Sequence, residues 1–95
     1  YERYENYIKL FWVKLFMLTN RKVSAKTLVD EVTMSAYERG EMKEYADSLL
    51  LKGELISYEG EDPSHYFDEA ISIYKKLGLK SELMQAEKSK LKFMK

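Results

Sequence analysis

The chain reads as blocks of helical periodicity parted by short polar or glycine-bearing breaks, and the best specified block runs from Glu44 to Gly78. Phe67, Ala70, Ile71, Tyr74 and Leu77 recur at intervals of three and four, one apolar stripe on a helix expected from about Pro63 to Leu77. Asp62 can accept from the free N–H groups of its first turn, and Pro63 suits the first helical position. Gly78 offers a left-handed cap, closed by Leu79. The preceding helix, about Tyr45 to Glu59, carries two stripes: Ala46, Leu49, Leu50, Gly53 and Ile56 on one flank, Leu51, Leu55 and Tyr58 on the other. Such a helix packs between two partners. Gly53 costs about 1 kcal/mol of propensity relative to alanine, which points to a close helix approach, with Ala70 expected against it.

Upstream, Tyr1 to Thr19 is strongly apolar, interrupted near its end only by Lys9 and Lys14. A membrane span needs about 20 apolar residues with few charges; this run is shorter. It also lacks the basic start and small-residue cleavage site of a signal peptide. It predicts a helix buried on most of its circumference, one side facing its own chain and the other an upstream segment or a second copy. Asn20-Arg21-Lys22 is a polar connection. Ser24 then reads as the N-cap of a helix to Arg39, with Val23 and Leu28 as a hydrophobic staple and Leu28, Val32, Ser35 and Ala36 as the inner face. After Gly78, Ser81 caps a last helix with Leu83, Met84, Ala86, Leu91 and Met94 inward. No period of two and no hairpin turn signals a strand.

An internal repeat links these blocks. Val29-Asp30-Glu31-Val32 through Gly40 aligns with Phe67-Asp68-Glu69-Ala70 through Gly78 at a spacing of 38 residues. Gly53, Gly60, Phe67-Asp68-Glu69-Ala70 and Tyr74 together resemble the tetratricopeptide repeat, a helix–turn–helix unit of about 34 residues. The pattern departs from the family at the early tryptophan-like position, a leucine here. The closing proline is absent, and Glu61-Asp62-Pro63-Ser64-His65 lengthens the turn. The resemblance implies an all-α, right-handed superhelical stack of antiparallel hairpins, about five helices, whose first helices line a concave surface for a protein or peptide partner. Modules of that family often form part of larger regulators or ATPases.

Composition narrows the function. The 95 residues make one domain, expected to be a segment of a longer protein because the chain opens on Tyr1 in mid-pattern. With no cysteine, disulfides and thiolate metal sites are excluded, and a reducing, cytoplasmic setting fits. His65, the single histidine, lies near Asp62, Asp68 and Glu69, but a metal site needs three or four suitable ligands, and these carboxylates suit a helix start. No nucleophile–base set and no phosphate loop appears. The reading is therefore a non-enzymatic scaffold without cofactor or metal.

The alternative is a homodimerisation domain using the first helix. Tyr4, Tyr7, Phe11, Trp12, Leu15 and Phe16 are the candidate partner-binding residues in either case. Acidic and basic residues balance at 16 each. Lysine nevertheless dominates after Lys75, and Lys88, Lys92 and Lys95 form a candidate polyanion contact, the weakest of the three readings.

Overall fold

The computed structural model describes residues 4–93; Tyr1, Met94 and Lys95 lie outside them. Five helices follow in order: α1 Glu5–Leu18, α2 Lys22–Arg39, α3 Met42–Tyr58, α4 Ser64–Leu77 and α5 Lys80–Phe93. No strand occurs among the described residues. Each helix packs on its chain neighbour. In addition α1 packs on α3 and α3 on α5, while the α2 and α4 backbones stay apart. This is a stack of antiparallel hairpins, α1–α2 and α3–α4, with α5 laid on the second. α3 touches all four other helices.

One device ends the first four helices. Asn20, Gly40, Gly60 and Gly78 all take the left-handed conformation, at φ 61°, 73°, 84° and 72°. In each case the next residue's N–H donates five positions back: Arg21 to Phe16 O, Glu41 to Ala36 O, Glu61 to Ile56 O, and Leu79 to Tyr74 O. These are Schellman caps, and they satisfy carbonyls that a helix end leaves free. At 40 and 78 the matching bonds, 2.9 and 3.0 Å, fall on the two copies of the internal repeat. Arg21 and Glu41 close one helix and cap the next, since their carbonyls accept from Ala25 N–H and Tyr45 N–H. Hence α2 starts at Lys22, not near Ser24, and α3 at Met42, not Tyr45. Ser24 sits exposed inside the first turn, and Val23 is exposed, so the expected staple is absent. Only α3–α4 has a longer link. There Asp62 Oδ1 accepts from Ser64 N–H at 3.0 Å, and Pro63 stands at the N-cap instead of the first turn.

The core has two parts, one on each side of α3. Leu51 and Leu55 join Leu10, Val13, Ala25, Val29 and Val32 from α1 and α2. Ala46 and Leu49 join Ala70, Ile73, Tyr74 and Ala86 from α4 and α5. The two stripes of α3 thus meet two partners, as their spacing required, except that Tyr58 stands exposed. Burying each larger side chain contributes about 1.5–3 kcal/mol. The α2 stripe is rotated from the expected one: Ala25, Val29, Val32 and Ala36 are buried, Leu28 and Ser35 only partly. On α4, Ile73 is buried and Leu77 exposed; on α5, Ala86 alone is fully buried, with Met84 and Leu91 outside.

Ala70 and Gly53 are both buried small residues, as expected, and the nearest group to Gly53 comes from Phe67, one turn before Ala70 on α4. Gly53 faces the Phe67 ring, and a Cβ there would lie 2.8 Å from Cε1; Ala70 belongs with Ala46 and Leu49. Polar groups bridge the helices within the core, although Asn6 Oδ1 accepts no hydrogen bond there. Thr33 Oγ1 donates to Ser48 Oγ at 3.0 Å, which donates to Tyr45 O at 2.7 Å. Asn6, wholly buried on α1, donates to Glu41 at 2.8 Å and Ser35 at 3.3 Å.

Candidate partner-binding groove and the outer face of α1

The first helices of the two hairpins, α1 and α3, stand side by side with α5 and together line a groove of about 860 Å³. Each contributes one stripe at helical spacing. From α1 come Tyr7, Phe11, Lys14 and Leu18; from α3, Lys43, Asp47, Leu50, Glu54 and Tyr58; from α5, Ser81, Glu82, Gln85 and Ser89. The α1 wall is mainly apolar and the α5 wall polar, with a mixed floor between them.

The floor is electrostatically tied down. Tyr74 of α4 donates to Asp47, whose other oxygen lies 2.9 Å from Lys43 Nζ. Burial alone would lower the Lys43 pKa, but the paired Asp47, with Glu44 and Glu82 nearby, more than offsets this and the net direction is up. Glu54 sits where all three walls converge. Burial pushes its carboxyl up, and Lys92, Lys14 and the Ser89 hydroxyl pull it partly back. The chemistry on offer is apolar contact beside ammonium, carboxylate and hydroxyl groups.

α1 differs most from expectation. Only one stripe, Asn6, Leu10 and Val13, is buried, with Met17 partly so. The helix is not enclosed on most of its circumference. The lysines do not form its outer side either: Lys9 turns to α2, 3.2 Å from Glu31 and 3.0 Å from Glu5, and Lys14 lines the groove. At 3.6 residues per turn, Tyr7, Leu18, Phe11, Tyr4, Leu15, Ile8 and Trp12 fill an uninterrupted arc of about 140° opposite the buried stripe, and all seven are exposed.

Of the candidate residues, Tyr4, Tyr7, Phe11, Trp12 and Leu15 therefore share one surface. Phe16 does not: it packs on the α1–α2 core, its ring 6.0 Å from that of Trp12. Sequence reasoning missed Ile8 and Leu18 on this face. Both belong to the same apolar run, and placing the inward stripe correctly would have assigned them. It also missed Glu54 and Lys43, whose role arises only when α1 and α5 close over α3.

Of the lysine candidates, Lys88 and Lys92 stand one turn apart on α5. Lys88 and Lys92 are exposed, Lys92 over the neighbouring Phe93 ring, while Lys90 between them pairs with Asp68; Lys95 is outside the described residues. His65 is exposed, edge-on to Tyr66 and 3.8 Å from Glu69. Among the described residues no group of three metal-ligating side chains converges, and no helix is long and apolar enough to cross a membrane.

The described residues are thus an all-α stack of helical hairpins with one groove and one bare helix face. No family model, curated protein or solved structure matches the chain.

Proposed function

We propose that the chain is a non-enzymatic protein-interaction module, similar in build to tetratricopeptide repeats, that holds a peptide segment of a partner protein between α1, α3 and α5. The observation behind this reading is the groove itself, lined in common by the first helix of each hairpin and by α5. Its volume of about 860 Å³ suits several side chains, within the range of about 300–1,000 Å³ typical of ligand sites. Its two unlike walls suit an amphipathic segment. Apolar side chains would rest on Met17, Leu50 and Tyr58, and polar ones would face Ser81, Gln85 and Ser89.

The test is selection of displayed random peptides on the immobilised chain, followed by affinity measurement in solution. Tyr58→Ala and Gln85→Arg alter exposed groove positions and should leave the fold intact. Selected peptides should carry apolar anchors and lose most of their affinity for both variants. Met34→Glu, exposed on α2 away from the groove, should bind as the parent does. Failure to select any peptide, or unchanged binding by the two groove variants, would overturn the reading.

A further inference from the structure

α1 carries two stripes of the same period, and the chain uses one of them. Inward, Asn6, Leu10, Val13 and Met17 are spaced four, three and four, and they meet α2 and α3. Outward, Tyr4, Ile8, Phe11, Leu15 and Leu18 are spaced four, three, four and three. That is a heptad seam, with Ile8 and Leu15 at the a positions and Tyr4, Phe11 and Leu18 at the d positions. Nothing in the described residues covers it: Phe11 is 65% and Leu18 84% exposed. A sustained heptad is the pattern that lets one helix pack its knobs into the holes of another.

We propose that the outer face of α1 pairs with α1 of a second copy of this chain. Three observations favour a second copy as the occupant. First, the area matches. With Tyr7 and Trp12 beside the seam, the exposed surface is on the order of 800 Å², given about 150–250 Å² per aromatic side chain. This exceeds the largest patch of an ordinary monomer, about 300–600 Å², and equals the roughly 800 Å² per partner of a standard interface.

Second, the charges are out of the way. Lys9 and Glu5 are bound to each other and to Glu31 and Arg39 of α2, and Lys14 turns to the groove. Two identical faces therefore meet as apolar on apolar. Third, the seam opposes the side of α1 that holds the rest of the chain, so a two-fold axis along it places both stacks outside and covers both seams at once. A free helix of two heptads is marginal in water. Here α2 and α3 hold α1 in shape before it pairs, which removes that cost.

Sedimentation equilibrium of the full chain over a range of micromolar concentrations tests this. The parent should be a dimer, and Trp12 emission should shift to the red as dilution exposes the ring. Ile8→Glu with Leu15→Glu should weaken association by about a hundredfold or more, since each would bury an unpaired charge. Leu18→Ser, at the most exposed seam position, should weaken it by about tenfold without touching the core, which keeps the test decisive if the glutamates disturb folding. Leu91→Glu, exposed on α5, should leave the dimer unchanged. A parent that sediments as a monomer throughout overturns the proposal, as does equal association of parent and Leu18→Ser.

Discussion

The Phe67 ring lies so close to Gly53 that no side chain fits between them: a Cβ at residue 53 would stand 2.8 Å from Cε1 and 3.1 Å from Cδ1. Phe67 is fully buried and Gly53 sits mid-helix, so the contact sets how closely α3 and α4 approach. The glycine is retained against helix propensity because of this ring.

Gly53→Ala should therefore destabilise the fold. Alanine regains about 1 kcal/mol of propensity, while overpacking a closed core costs about 1–3 kcal/mol. The ring is held on all sides, so we expect the packing cost to prevail. Pairing the change with Phe67→Leu should recover part of the loss, and a urea double-mutant cycle would show a coupling of about 0.5–3 kcal/mol. Additive effects would place the ring elsewhere.

Tyr74 and Asp47 tie α4 to α3 from within the core, whereas Tyr45 and Glu69 do so nearer the surface, at 2.9 Å. Burial and the neighbouring carboxylates raise both phenol pKa values, that of Tyr45 to about 12. Tyr74→Phe removes a donor to a charged acceptor and should cost about 1.5–3 kcal/mol. Tyr45→Phe, in the wetter pair, should cost less. Chemical denaturation of the two variants ranks them; a larger loss at Tyr45 would contradict the burial difference.

Glu54 gives the groove a pH dependence of known sign. Burial holds its folded pKa above the ordinary 4.5, against the partial pull of Lys92, Lys14 and Ser89. Its contribution to stability is fully present below the unfolded value and is lost as pH rises through the folded one. At neutral pH the ionised carboxylate is a net cost. Glu54→Gln should thus unfold at higher urea than the parent near neutrality, and the gap should close as pH falls to 4.5. Glu5 and Asp62, whose pKa values are lowered, act with the opposite sign but equally in both proteins. A gap that widens toward acid would refute the assignment.

Local spacing settled much of this protein. The two-sided burial of α3, the Phe67, Ala70 and Tyr74 stripe of α4, the glycine stops at 40 and 78 and the absence of strands among the described residues follow from helical periodicity and from the ease with which glycine turns left-handed. Those properties act within a few residues and need no partner. The choice of buried face on α1 and α2 was different. In α1 nearly every position is apolar, so composition could not say which arc turns inward. The inward arc holds Asn6, a residue that hydrophobicity alone would send outward, because Ser35 and Glu41 wait there to accept from it. On α2, Ala25, Val29 and Val32 fill the interface with α1 and α3 while Leu28 packs only at its edge, because the face that turns inward is set by the two helices it must meet. The groove is also tertiary in origin. Lys14, Glu54 and Ser89 lie on three helices and become neighbours only when the hairpins stack, because burial and charge act through space and not along the chain.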